Sequence, residues 1–285
     1  MSPSRPHLVF FGHPDAFLDR AQDWLVREEA RYNRILGLAR AARTVLHGRP
    51  PLLATIESAD DLVVGCVMLP EGQQLDLTDM PQAAIEVLVA ELLRRGVRPR
   101  RFGGPPLVAA AFARAWEAET GEKAISRGRH GVHACERLIE PARTGPGRLM
   151  PAADAHIGLL AEWMADFGRS TGLMLPEPSS LLASLRSTGG LYVLLVEREV
   201  VCMGAVSRTT PSGAALSFIY SPPERRGLGH ATTLTAMMTR TMLAAGFRFC
   251  CLHTDLDNPV SNRIYHGLGY RLVAETLDLE RGEPS

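Results

Sequence analysis

Ser217-Phe-Ile-Tyr-Ser-Pro-Pro-Glu-Arg-Arg-Gly-Leu-Gly-His-Ala231 reads as the end of a strand, a glycine-bearing loop and the first turn of a helix. Leu216, Phe218 and Tyr220 alternate with Ala215, Ser217 and Ile219 in a β-favouring run, Pro222 and Pro223 stop it, and residues 231–245 carry a helical pattern. Glycine tolerates positive φ and lets a ligand approach the main chain, so Gly227 and Gly229 allow successive N–H groups to converge on an anion at the positive end of the helix dipole. Arg225 and Arg226 add positive charge there. The stretch predicts a junction built to hold phosphate.

Downstream, residues 247–255 read as a strand, and Asn258-Pro-Val-Ser-Asn-Arg-Ile-Tyr-His-Gly-Leu-Gly-Tyr270 follows. This segment starts on a good N-cap, places Pro259 at the first helical position and stops at glycines, so it predicts one short helix bearing Tyr265.

The two stretches together resemble the GNAT superfamily of acetyl-CoA-dependent N-acetyltransferases. The superfamily's phosphate-loop pattern (Arg or Gln, two residues, Gly, one residue, Gly or Ala) is met by Arg226, Gly229 and Ala231. Its later pattern (Asn, two residues, Ala, two residues, Leu-Tyr, three residues, Gly-Phe) is met by Asn258, Ser261, Ile264, Tyr265, Gly269 and Tyr270, with conservative departures at Ser261, Ile264 and Tyr270. The resemblance is specific over residues 190–275 and diffuse elsewhere.

What the resemblance implies is an α/β fold, acetyl-CoA as donor co-substrate, no metal, and direct transfer of the acetyl group to a primary amine of a small molecule or peptide. Arg226, Gly227, Leu228, Gly229, His230 and Ala231 would hold the diphosphate through main-chain N–H groups, so that the side chains of Leu228 and His230 matter less than the backbone they permit. Main-chain groups of Ile219, Tyr220 and Ser221 would pair with the pantetheine arm as an added strand, and one N–H there would face the thioester oxygen. Tyr265 would protonate the departing thiolate; the plainer reading is a core tyrosine beside Val260 and Ile264. Asn258 would touch the cofactor through its side chain or serve only as a helix cap. The general base is left among His253, Asp255, Glu162 and a base acting through water. The alternative from another class is a non-catalytic acetyl-CoA-binding sensor or assembly module.

Composition narrows the field. The 285 residues, 46% of them hydrophobic, suffice for about two domains with an ample core. A formal net charge of zero gives no general attraction to nucleic acid or anionic membranes, and no apolar run approaches the ~18 residues of a membrane span. The N-terminal Met-Ser-Pro-Ser-Arg-Pro-His lacks the apolar core of a secretory signal, so a cytoplasmic protein is expected, as a monomer or homodimer. Cys66, Cys135, Cys202, Cys250 and Cys251 are odd in number and lack Cys-x-x-Cys spacing, which predicts buried free thiols and neither a disulfide framework nor a zinc site. Dinucleotide binding fails because Thr232 stands where the third glycine of Gly-x-Gly-x-x-Gly should be, and no Gly-Lys-Ser/Thr exists for a nucleoside triphosphatase.

Pro141-Ala-Arg-Thr-Gly-Pro-Gly147 is loop-like, and the order of strands and helices before it resembles the order after it. This predicts two domains: an accessory or degenerate GNAT-like domain over 1–143 and a catalytic GNAT domain over 144–285, each a mixed twisted sheet flanked by helices. In the first half a helix is expected over 14–40, a hairpin over 52–69, strands near 74–77 and 101–103, helices over 81–95 and 107–119, and a strand over 123–138. In the second, a strand over 148–151, helices over 153–167 and 179–185, a hairpin over 191–208 turning at Arg198-Glu199, and a final strand over 270–279. The first half lacks the functional parts: Asp76-Leu-Thr-Asp-Met-Pro-Gln82 has no glycine, and Asp79 is expected at a helix start, where its carboxylate would serve the helix and repel a diphosphate.

Overall fold

The chain runs through one series of elements twice. The first pass is β1 (His7–Phe11), α1 (Pro14–Leu25), α2 (Asn33–Ala42), β2 (Leu52–Glu57), β3 (Val63–Leu69), β4 (Leu75–Leu77), α3 (Gln82–Arg94), β5 (Arg101–Gly104), α4 (Pro106–Thr120) and β6 (Ala124–Cys135). The second is β7 (Arg148–Pro151), α5 (Ile157–Thr171), α6 (Pro178–Ser187), β8 (Leu191–Val196), β9 (Glu199–Thr209), β10 (Gly213–Tyr220), α7 (His230–Ala244), β11 (Phe249–Asp255), α8 (Pro259–Gly267) and β12 (Arg271–Arg281). This computed structural model describes residues 6–43, 50–142, 144–173 and 175–282, so Arg143, the end of the first expected domain, lies outside the described residues, as does the opening of the N-terminal stretch.

Two units form. The first takes residues up to 132 together with 255–257 and 272 onward, and the second takes 133–254 and 258–271. The chain therefore passes from one to the other within β6, and nearly all of β12 belongs to the first unit.

In the first unit the strands lie in the order β1-β2-β3-β4-β5-β12-β6. β1 to β4 pair antiparallel in succession, β4 and β5 pair parallel through Leu75↔Phe102 and Asp76↔Gly103, and β12 runs antiparallel to β5 from Leu277↔Gly104 to Glu280↔Arg101. Side chains alternate between the faces. Ala54, Ile56 and Val67 face the helices α3 and α4 with Phe102, Phe112 and Trp116, whereas Leu53, Cys66 and Met68 face α1 and α2 with Phe17, Leu25 and Leu36. A Cβ on Gly103 would lie 2.2 Å from Asp278 Oδ1, so the Asp278 side chain occupies the space that this glycine leaves.

Three expectations change here. β1 was not foreseen. The helix expected over 14–40 is two helices, broken by a 3₁₀ turn at Val26–Glu28 and a corner that Trp24 and Tyr32 close by stacking at 5.1 Å, with Asn33 Nδ2 donating to Ala30 O at 2.7 Å. Asp79 does not cap α3: that helix starts at Gln82 after Pro81 with no side-chain cap, and the Asp79 carboxylate instead accepts from the Tyr32 hydroxyl at 2.6 Å and pairs with Arg31 at 2.7 Å.

The second unit has the order β11-β10-β9-β8-β7. Its α7/α8 face holds Ala214, Leu216, Leu234, Met238, Tyr265 and Leu268, and its α5/α6 face holds Leu160, Trp163, Leu182, Met203, Ala205 and Tyr220. The β8–β9 turn falls at Glu197 and Arg198, both at positive φ (48° and 75°), one residue earlier than expected. All five cysteines are buried and free, and no helix among the described residues is long and apolar enough to cross a membrane.

The first unit also holds an ion pair whose carboxylate is buried, Asp76 being 7% exposed and Arg34 31%. Arg34 Nε on α2 donates to both carboxylate oxygens of Asp76 at 2.7 and 2.8 Å, and Gln74 Nε2 adds a third bond at 3.0 Å. Removing one partner of such a pair leaves an uncompensated charge, at a cost of about 3–5 kcal/mol. Arg34→Met is therefore expected to lower the urea midpoint markedly, and adding Asp76→Asn to recover part of the loss.

Candidate active site

The site grows from a place where two strands part. β10 and β11 pair parallel only from Gly213↔Phe249 to Ala215↔Cys251, although both strands run on past that point. On its other edge β10 carries a bulge: Ser217 faces Ala205 and Tyr220 faces Met203, so β10 spends one residue more than β9. Phe218 takes up the extra residue at φ +57°, a conformation uncommon for a bulky side chain and one that costs on the order of 1–3 kcal/mol. The bulge also reverses the alternation: Ala214 and Leu216 face α7 and α8, while Phe218 and Tyr220 face α5 and α6.

After Tyr220 the chain turns at Pro222 and Pro223 and reaches the loop foreseen from the sequence. Gly227 and Gly229 both have positive φ (77° and 80°), and Gly229 is the N-cap of α7 with no side-chain cap. The first bond into the helix is Thr233 N to Gly229 O at 3.0 Å; the main-chain N–H groups of residues 227 to 232 donate to no acceptor among the described residues. Residues 226–229 are exposed. Unsatisfied donors at a helix start that reach solvent are able to receive an anion.

Neighbouring side chains refine it. Arg226 folds back over the strand end, its Nε donating to Ser221 O at 3.1 Å and its guanidinium 5.6 Å from the Tyr220 ring centre. Arg225 is tied to Glu199 at 2.5 Å. His230 is buried with an enclosed, unpartnered Nδ1, and burial first, then the charge of Arg225, push its imidazole below the usual value, so its side chain brings no positive charge to the loop. The linker packs here too: Gly145 N donates to Thr233 Oγ1 at 2.8 Å, and a Cβ on Gly145 would come within 3.0 Å of Leu228 O.

Tyr265 lies in the core shared with Leu216 of β10 and Leu234 of the first turns of α7, its ring 5.9 Å from that of Tyr270. It is 9% exposed, and its hydroxyl has no hydrogen-bond partner among the described residues yet is not fully enclosed. Burial first, and then the nearby Cys202, push the phenol up to about 12. Cys202 in turn lies beside the Ser221 hydroxyl, so the phenol sits near the end of β10. Asn258 acts as the N-cap of α8, its Oδ1 accepting from Ser261 N at 3.1 Å.

The acids and bases considered from sequence divide. Asp255 Oδ1 is engaged by Asp257 N at 2.9 Å, in a turn; Glu162 is exposed on α5; His253 is half-buried on β11. Sequence reading missed Asp166, one helical turn beyond Glu162, whose Oδ2 accepts from the Tyr220 hydroxyl at 3.3 Å. The available signal was the flanking pair Trp163 and Phe167, which spacing places beside Asp166 on one side of the helix. In the first unit His7, Glu57 and Asp61 bring ligand-type atoms within 4.8 Å of one another, but Arg20 already binds Glu57 at 2.6 Å and fills that space.

Residues 192–278 match the family described as FR47-like protein. No curated protein is similar enough in sequence to match. Among solved structures, a GCN5-related N-acetyltransferase from Sphaerobacter thermophilus is 14% identical with a TM-score of 0.60, over 96% of this chain and 95% of that one. A GNAT-family acetyltransferase from Colwellia psychrerythraea is 11% identical with a TM-score of 0.55, over 97% and 99%. A tandem GNAT protein from the clavulanic acid biosynthesis pathway is 14% identical with a TM-score of 0.53, over 98% and 99%. These identities speak to fold. The chain thus has the GNAT acetyltransferase fold in tandem, and its segment 192–278 is FR47-like.

Proposed function

We propose that the protein is an acetyl-CoA-dependent N-acetyltransferase that passes the acetyl group directly to a primary amine. The observation that carries this reading is the run of unsatisfied main-chain donors over residues 227 to 232 at the start of α7, exposed at 227–229, near where β10 and β11 stop pairing. In this reading Arg226, Gly227, Leu228, Gly229, His230 and Ala231 hold the diphosphate by their backbone, with the Arg226 guanidinium alongside. Ile219, Tyr220 and Ser221 offer their main chain to the pantetheine arm in the gap, as an added strand. Asn258 contributes through the helix it caps.

The amine nitrogen attacks the thioester carbonyl, the C–S bond breaks, and the thiolate takes its proton from Tyr265, while the nitrogen gives up its own proton to water and water returns one to the Tyr265 phenolate. Burial keeps the Tyr265 phenol protonated throughout the working range, but a phenol raised to about 12 is also a weaker acid, so its transfer to the thiolate depends on donors around the reacting sulfur lowering the difference. The first domain, over 1–143, is accessory: its β4–α3 junction has no glycine loop, and Asp79 adds negative charge there. Five buried thiols fit a reducing cytoplasm.

Three measurements test the reading. Tyr265→Phe is expected to slow coenzyme A thiol release by at least about 10²-fold with little change in coenzyme A affinity; equal turnover in the two proteins would remove Tyr265 from the chemistry, and coenzyme A binding without release over a broad amine panel would leave a binding module. The raised phenol pKa places any alkaline loss of kcat due to Tyr265 near 12, above the ~10 of a free phenol, so a limb near or below the free value must belong to another group. Gly229→Val forces a β-branched residue to a φ of +80°, and calorimetry should show coenzyme A binding weakened by about tenfold or more as the amides lose their common aim.

A further inference from the structure

Where the bulge turns β10 over, it builds an aromatic surface with a carboxylate in it. Phe167 on α5 meets Phe218 edge-on at 5.7 Å (84°) and Tyr220 edge-on at 6.4 Å (88°), and Trp163 lies 6.0 Å from Tyr220. Phe167 and Phe218 are only half-buried. Asp166, 45% exposed and next to Phe167 in the chain, accepts the Tyr220 hydroxyl at 3.3 Å, while the Arg226 guanidinium lies 5.6 Å from the centre of the same Tyr220 ring. Burial, then the Asp166 charge, raise the Tyr220 phenol, which keeps it a donor to that carboxylate.

The cation now on Asp166 is Arg169, one turn along the same helix and 70% exposed. An ion pair between two such exposed side chains is weak, so a better-placed cation displaces it. Partly exposed aromatic rings around an anion favour a cation that carries apolar surface, through ring quadrupoles as well as charge. Tyr220 ties this surface to the reaction strand, since its hydroxyl holds Asp166 while its main chain continues β10 beside the loop.

The geometry points to Asp166, framed by Phe167, Phe218 and Tyr220, as the subsite that receives the acceptor as an organic ammonium with an aromatic or bulky apolar body. The inference rests on the acetyl-transfer reading for its purpose but not for its test. The bound ammonium loses a proton to water before its nitrogen attacks, so Asp166 selects and places the acceptor without being the group that breaks the thioester.

Benzyltrimethylammonium, which cannot be acetylated, serves as the probe against the full-length protein by calorimetry, with benzyl alcohol as its neutral counterpart. Wild type should bind the cation and not the alcohol. Asp166→Asn, which keeps the shape and the Tyr220 contact, should weaken the cation about tenfold, whereas Arg169→Ala, which removes the competing charge, should tighten it. A merely structural Asp166 would make both variants weaken binding or neither change it; either result overturns the subsite, as does failure of wild type to bind. Thiol release with benzylamine is read separately: its absence alongside Asp166-dependent binding of the probe would sink acetyl transfer and leave the subsite standing, while release with an unchanged KM in Asp166→Asn would sink the subsite alone.

Discussion

The parting of β10 from β11 after Ala215↔Cys251 is the constraint on which the second unit turns. Two parallel strands that stop pairing leave main-chain donors and acceptors facing each other across a gap, and a protein keeps such a gap only where water or a ligand satisfies them. The bulge at Phe218 belongs to the same device. It lets β10 stay bonded to β9 on one side while its remaining length is re-aimed on the other, and the positive φ at a phenylalanine is strain that surrounding aromatic contacts hold in place. The reversal of faces then delivers Tyr220 to α5 and sets the carboxylate of Asp166 near the end of β10.

The first unit shows what the same topology does without those features. β4 and β5 are also parallel, with a helix between them, but β4 is only Leu75–Leu77, and past it Thr78 stays locked to β3 through bonds with Cys66 at 2.7 and 3.1 Å. The junction that follows is Asp79-Met80-Pro81. Proline has no N–H to offer, Asp79 is engaged by Tyr32 and Arg31, and the Met80 Cβ packs so close to Gly65 that a Cβ on that glycine would lie 2.9 Å away. Identical connectivity yields a sealed corner in one half and an open cradle in the other, and the difference resides in a handful of loop residues.

Those loop residues are also why so much could be read early. Glycine at positive φ, proline at a helix start and asparagine at an N-cap act through their own local geometry, and Gly227, Gly229, Pro259 and Asn258 do in the structure what their positions predict. The repeat was legible for a similar reason, since each strand and helix carries its own period. What escaped was whatever depends on distant partners. The corner between α1 and α2 contains neither glycine nor proline and is closed by Trp24 stacking on Tyr32; Asp79 is drawn from its helix by Tyr32, far away in sequence; β12 belongs to the first unit through its pairing with β5, a strand from the other half of the chain. Alternation placed Leu216, Phe218 and Tyr220 on one face, and only the bulge, which no single residue announces, puts two of them on the other.

Tyr265 sits at the meeting of both kinds of information. Its helix and cap are local, but its surroundings are assembled from β9, β10 and α7, where Cys202 and Leu216 share its core and its hydroxyl has no partner among the described residues. An ordinary core tyrosine satisfies its hydroxyl, as Tyr270 does by bonding Thr239 Oγ1 at 2.7 Å in the same cluster. The two rings touch, share one core and differ in this single respect. The Tyr270 oxygen is closed off by its protein partner, whereas the Tyr265 oxygen, not fully enclosed, is left for water or a ligand to satisfy.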